Sequence, residues 1–209
     1  RNSYQRYIRQ SMSFLKGIIC FLMVVFNTLF WCIFLLSLAL IKIIIPFESS
    51  KKVFTHLIIL IGECWIFCNG LWIKVFHNPQ WKVEGFEKLD QNNWYISFAN
   101  HQSWADIFIL QSITNRKIPM LKFFMKDILI WVPVIGLAWW ALDMPFLKRY
   151  SEEKLKRNPE LRGKDISSMK KSFTRFARYP VSIFIFAEGT RFTKEKKELQ
   201  NSPFKHLLL

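Results

Sequence analysis

The sequence predicts an α/β domain set behind hydrophobic membrane helices, and three observations carry that prediction. Residues 17–41 contain no charged side chain. Beyond Asn78-Pro79, short β-forming runs alternate with helical segments, the pattern of an α/β sheet. Residues 181–187 are apolar at nearly every position, as expected for a strand covered on both faces. Composition agrees: the 209 residues are 51% hydrophobic and 17% aromatic, with 21 Phe and 9 Trp, which excludes bulk disorder. There is room for two runs of ~20 apolar residues at most, which excludes a multi-span channel or transporter.

Each element can be justified in chain order. Residues 1–16 carry Arg1, Arg6, Arg9 and Lys16 and no acid, and read as a basic tail. Residues 17–45 read as an uncleaved anchor helix. The charge-free part alone is ~37 Å long at ~1.5 Å per residue, longer than a ~30 Å hydrocarbon core. A secretory signal would have a shorter apolar core, and no small-residue cleavage site follows. Pro46-Phe47-Glu48-Ser49-Ser50 breaks the helix. A second apolar helix is expected over 53–74, with His56, Glu63 and Asn69 inside it. An ionised Glu near a bilayer centre costs on the order of 2.5–3.5 kcal/mol, so this segment is read as spanning, re-entrant or interfacial.

The domain beyond is assigned to 79–209. Residues 81–84 alternate like a strand, and Gly85 breaks it. Residues 94–99 are a β-forming run, 105–113 a helix and 118–124 a further strand. Ile166, Met169, Phe173 and Phe176 mark one face of a helix that Pro180 ends, with Lys170, Lys171, Arg175 and Arg178 between them. Charge is concentrated: the whole chain has a formal net charge of +15, and residues 151–209 hold fourteen bases against seven acids. Cys20, Cys32, Cys64 and Cys68 lie in apolar stretches with no His to complete a metal set, and read as buried reduced thiols.

Two places offer chemistry. In Asn100-His101-Gln102-Ser103-Trp104-Ala105-Asp106 a strand gives way to a helix. His101 sits at the turn and Asp106 one helical turn further on. An aspartate accepting from one ring nitrogen fixes the tautomer and makes the other nitrogen the base. Apart from Ser103 no nucleophile is specified, so the nucleophile can belong to the substrate; the plainer alternative is a surface His near a helix start. In Phe186-Ala187-Glu188-Gly189-Thr190-Arg191, the turn follows the apolar strand directly, where α/β sheets bind ligands. Gly189 permits close backbone approach, Thr190 offers a hydroxyl and Arg191 a fork suited to phosphate. Glu188 can hold Arg191 or bond a substrate hydroxyl. The plainer alternative here is a strand-end turn with a solvated ion pair.

Together and in this order, His-x4-Asp after a strand and Phe-x-Glu-Gly-Thr-Arg about 80 residues later resemble the glycerolipid acyltransferase superfamily, which includes the PlsC-like lysophosphatidic acid acyltransferases. Lys126, Trp131-Val132-Pro133, Gly136, the tract from Trp140 through Asp143 to Tyr150, and Arg162-Gly163-Lys164-Asp165 are similar to the bacterial inner-membrane YihG-type branch. The resemblance implies a mixed β-sheet flanked by helices, seated on the membrane by the N-terminal hydrophobic helices. It implies His101 as general base with Asp106 as partner, and Glu188, Gly189, Thr190 and Arg191 as the acceptor-binding motif, with Arg149 a second base for the acceptor phosphate. The reaction implied moves an acyl group from acyl-CoA or acyl-carrier protein to the hydroxyl of a lysophospholipid, most simply 1-acylglycerol-3-phosphate. It needs no cofactor or metal, and would run at the cytoplasmic face of a bacterial inner (plasma) membrane. The family carries a further motif, a Pro beside small residues, soon after the position of Leu209, so the domain is expected to be C-terminally incomplete.

The same reading stands on elementary chemistry. Acyl transfer from a thioester needs a base and a water-excluding pocket. A lipid acceptor explains the anchor, and anionic head groups and CoA phosphates explain the excess Lys and Arg. The alternatives are a membrane-anchored scaffold without catalysis, a lipid hydrolase on the same His–Asp unit, and a nucleic-acid binder. The last has no reader motif among its basic residues, so nucleic acid is not an expected partner.

Overall fold

The structure is a computed structural model that describes residues 2–148, 152–161, 164–177, 179–186 and 191–195. It divides into two compact units.

The first unit comprises Arg1–Gly85 with Val132–Leu142. Helix α1 runs Asn2–Ile44 and α2 runs Glu48–His77. The expected basic tail is thus continuous with the first apolar helix: nothing in residues 2–16 breaks a helix, since Gly and Pro are absent there. The break at Pro46 is shorter than expected, and Glu48, Ser49 and Ser50 already belong to α2, where Glu48 pairs with Lys51 at 2.9 Å. Such a short connection makes the helices antiparallel neighbours. Asn27 on α1 meets Asn69 on α2, its Nδ2 donating to Oδ1 at 2.8 Å and to the Trp65 carbonyl at 3.2 Å. Trp65 Nε1 in turn donates to Thr28 Oγ1 at 3.2 Å. Both helices are long and apolar enough to cross a membrane, and Phe14, Phe21, Phe26, Ile33, Leu57 and Phe67 point outward. Helix α2 ends at Asn78, which takes the left-handed conformation (φ 42°) and donates its N–H to the Lys74 carbonyl; Pro79 follows. The expected strand at 81–84 does not form. Trp81 and Val83 are both exposed, so their alternation has no core to face.

The second unit comprises Phe86–Trp131 with Asp143–Leu209. Its main sheet has strands β1 (Tyr95–Ala99), β2 (Leu121–Phe123) and β5 (Ser182–Phe186) in the order β1-β5-β2, all parallel. Strands β3 (Met125–Lys126) and β4 (Phe146–Leu147) form a small parallel pair. Residues 182–186 of the expected apolar run therefore form the central strand, and Ser182, Ile183 and Phe184 are buried. Parallel register puts residues in line on one face. Leu121, Phe123 and Phe184 build a core against Ile107 and Leu110 of helix α3 (Ala105–Thr114). On the opposite face Val181 and Ile183 pack with Phe176 of helix α6 (Lys164–Phe176). Lys122, buried on that second face, holds its ammonium 4.0 Å from Met120 Sδ. Helices on either face of a parallel sheet, in a chain that begins with two apolar helices, are the α/β class that the sequence predicted. Helices α4 (Ile135–Ala141, in the first unit) and α5 (Glu152–Arg157) complete the α-helices among the described residues.

Candidate active site

Strands β1 and β5 are neighbours in register, with Ala99 opposite Phe186. Because they are parallel, the turns that follow them leave from the same end of the sheet. That is the physical reason the two sequence motifs meet across some 85 residues.

The turn after β1 is closed by one carboxylate. Asp106, in the first turn of α3, accepts the backbone N–H of Gln102 at 2.7 Å and of Ser103 at 2.8 Å through Oδ2. The same oxygen lies 3.1 Å from Nδ1 of His101. A first-turn side chain thus reaches back to two backbone donors that precede the helix. Ser103 adds its Oγ as acceptor for the Ala105 N–H at 3.1 Å. Its hydroxyl is thus engaged in shaping the turn, which fits a nucleophile supplied by the substrate.

The pair is well placed for proton transfer. The His101 and Asp106 side chains are 13% and 22% exposed, sheltered yet reachable. Partial burial pushes the Asp106 carboxyl up. The Ser103 N–H, the His101 ring and the Gln102 N–H outweigh it and hold the group below the ordinary carboxylate value. Asp106 is therefore a carboxylate at neutral pH, and the His101 tautomer that donates to it from Nδ1 has Nε2 as its basic nitrogen.

Two features of the pair were missed by sequence reasoning. The ring of Phe186, the last residue of β5, stacks on the imidazole with centroids 4.0 Å apart and 21° between planes. Beyond β5 the Phe192 N–H donates to the His101 carbonyl at 2.7 Å, which ties the neighbour of Arg191 to the histidine turn. Arg191 itself holds its guanidinium carbon 6.0 Å from the ring centroid of Trp104, and Trp104 lies edge-on to His101 at 6.5 Å. The structure thus brings His101, Asp106 and Arg191 to one place. Glu188, Gly189, Thr190 and Arg149 lie outside the described residues. The signal for Phe186 was its position as the last residue of a buried strand that leads into the motif. Its contact with His101 depends on strand register, which no local pattern reveals. Among the described residues, no three His, Cys, Asp or Glu side chains come together to hold a metal ion.

Comparison with known proteins shows the family. Residues 80–206 match the family model described as "Acyltransferase". The 1-acyl-sn-glycerol-3-phosphate acyltransferase 3 of Arabidopsis thaliana is 27% identical over 139 residues, 64% of this chain and 33% of that protein. The 1-acyl-sn-glycerol-3-phosphate acyltransferase delta of Macaca fascicularis is 27% identical over 146 residues, 68% of this chain and 34% of that protein. The chain therefore spans about a third of the length of these curated relatives. The crystal structure of the 1-acyl-sn-glycerophosphate (LPA) acyltransferase, PlsC, from Thermotoga maritima superposes with a TM-score of 0.57 at 17% identity, covering 87% of this chain and 64% of that one, and so shares its fold. With the family model matching more than half of its residues over the segment that carries His101, Asp106 and Arg191, the chain belongs to the acyltransferase family.

Proposed function

We propose that the protein transfers a fatty acyl group from an acyl thioester to the free hydroxyl of a lysophospholipid, with 1-acylglycerol-3-phosphate as acceptor. The observation that carries this reading is the His101–Asp106 pair at the end of β1, tied through the Phe192 backbone to the neighbour of Arg191. The acceptor hydroxyl would give its proton to Nε2 of His101 as its oxygen attacks the thioester carbonyl. Asp106 stabilises the imidazolium that forms. Collapse of the tetrahedral intermediate breaks the carbon–sulfur bond, and the imidazolium returns the proton to the departing thiolate. The thioester brings its own activation, so the step calls for neither metal nor cofactor; acyl-CoA or acyl-carrier protein is the co-substrate.

Arg191 would grip the acceptor phosphate through its planar fork, with Arg149 and the Glu188-Gly189-Thr190 turn completing the acceptor site. A lipid acceptor supports a membrane location, and α1 and α2 supply the apolar surface for it. The finer placement, at the cytoplasmic face of a bacterial inner membrane, rests on the YihG-type tracts. The two curated relatives come from a plant and a primate.

The test is to incubate membranes carrying the full-length protein with labelled acyl-CoA, or acyl-carrier protein, and a panel of lysophospholipids. Label in phosphatidic acid, dependent on His101, is expected. Label released only as free fatty acid would make the protein a hydrolase, and label in neither product would leave it a scaffold.

A further inference from the structure

Trp104 stands inside the site, and the reaction above does not use it. Its ring faces two ways. The His101 imidazole meets it edge-on, with 87° between planes, and the Arg191 guanidinium lies over it at 6.0 Å. The indole is 68% exposed, so burial of apolar surface explains little of a tryptophan at this position. Its mounting is firm. The backbone N–H groups on either side, of Ser103 and Ala105, are both hydrogen-bonded within the turn that also orients His101. Arg191 is an exposed residue that belongs to neither a helix nor a strand.

We infer that Trp104 is a positioning residue for the acceptor: its ring face holds the Arg191 guanidinium at a set distance from the His101 base. This rests on the proposed grip of Arg191 on the acceptor phosphate. A cation is attracted to the face of an indole more strongly than to any other side-chain ring. Guanidinium is flat, so it can lie over the ring and still offer its N–H edge to an anion. An arginine already ordered in this way loses less freedom when the acceptor binds, which favours binding without changing the chemical step. The arrangement suits acceptors whose phosphate sits close to the attacking hydroxyl. It gives no advantage to neutral monoacylglycerols.

The test uses the full-length protein in membranes, with saturation curves for 1-oleoylglycerol-3-phosphate and for oleoyl-CoA. Wild type is compared with Trp104→Leu, Trp104→Phe, Arg191→Gln and the Trp104→Leu/Arg191→Gln double variant. Trp104→Leu should raise the acceptor KM about two- to fivefold, the range of an exposed cation–π contact. The donor KM and kcat should move far less. Trp104→Phe should recover part of the loss, because it keeps a ring face. In the Arg191→Gln background the Trp104 change should have no further effect. An unchanged acceptor KM in Trp104→Leu, or an equal rise in both backgrounds, overturns the inference; the second result would mean that the indole touches lipid itself. If Arg191→Gln alone leaves the acceptor KM unchanged, the phosphate assignment fails first and the inference falls with it. Melting curves of each variant separate a folding defect from a binding one, and Trp104→Phe keeps the test open if the leucine variant is unstable.

Discussion

The protein contains two small polar clusters that use hydrogen bonds for opposite ends. Between α1 and α2, Asn27, Asn69, Trp65 and Thr28 satisfy one another, and none of the four carries a charge. At the end of β1, Asp106 gathers two backbone donors and an imidazole in a half-sheltered turn. A neutral amide pair can fix the register of two apolar helices, but it cannot take a proton from a substrate. A carboxylate–imidazole pair can do so, and its charge is tolerable because the turn supplies N–H donors and solvent lies near. The contrast shows what separates a polar cluster that can only hold a fold from one equipped for proton transfer: titratable groups, donors aimed at the charge, and access.

The comparison can be broken most sharply at His101. His101→Ala should cost ~10²–10⁴-fold in acyl-transfer rate while the melting curve stays that of the wild type, because a lost general base removes a step and not a support. A folded variant with near wild-type turnover would end the assignment. Next comes Arg191→Lys, which keeps the charge and loses the two-point fork. A drop of roughly ten- to a hundredfold in kcat/KM for the acceptor is expected, with the donor KM little changed, in paired saturation curves. An effect confined to the donor would move Arg191 to the thioester side.

A third test reads the charge of Asp106 as stability. Its folded pKa is depressed, so its contribution is present above the usual Asp range near ~3.9 and is lost as pH falls through the folded value. Asp106→Asn should therefore lower unfolding free energy by about 1–3 kcal/mol at neutral pH, and the gap from wild type should close in acid. Denaturant titrations at several pH values would show it. A gap independent of pH would mean that shape, and not charge, holds the turn. The smallest effect is expected in the neutral cluster. Asn27→Leu and Asn69→Leu should each cost about 1 kcal/mol of helix association, with the double variant costing less than the two together. That cycle should show no pH dependence, in contrast to Asp106.

Much of this was legible in the sequence, and the failures share a cause. The two long apolar helices, the strands Tyr95–Ala99 and Ser182–Phe186, the helix from Ala105 and the one ending at Phe176 announce themselves through local apolar pattern. So does the His101–Asp106 spacing, because the helix and the turn that join them are contiguous. Residues 2–16 were read as a tail because their basic residues hid an unbroken helix former. Trp81 and Val83 alternated as a strand does, yet strand formation needs a partner and a core, and those come from elsewhere in the chain. Phe186, the Phe192 tie and the Trp104–Arg191 contact escaped for the same reason: each joins segments brought together only by the parallel pairing of β1 with β5.

The ring of Phe186 has a thermal consequence. It stacks on His101 at 4.0 Å, and on its other flanks it meets Phe184 at 5.0 Å and Phe123 at 6.3 Å, both of them core residues of the sheet. The floor under the base is thus the outermost layer of the hydrophobic interior and not a separate loop. Interiors this dense rearrange as a unit. The His101 ring therefore rests on a surface whose geometry is set by the sheet. Heat should therefore extinguish activity along the same curve that melts the sheet, with no inactive but still folded interval before it.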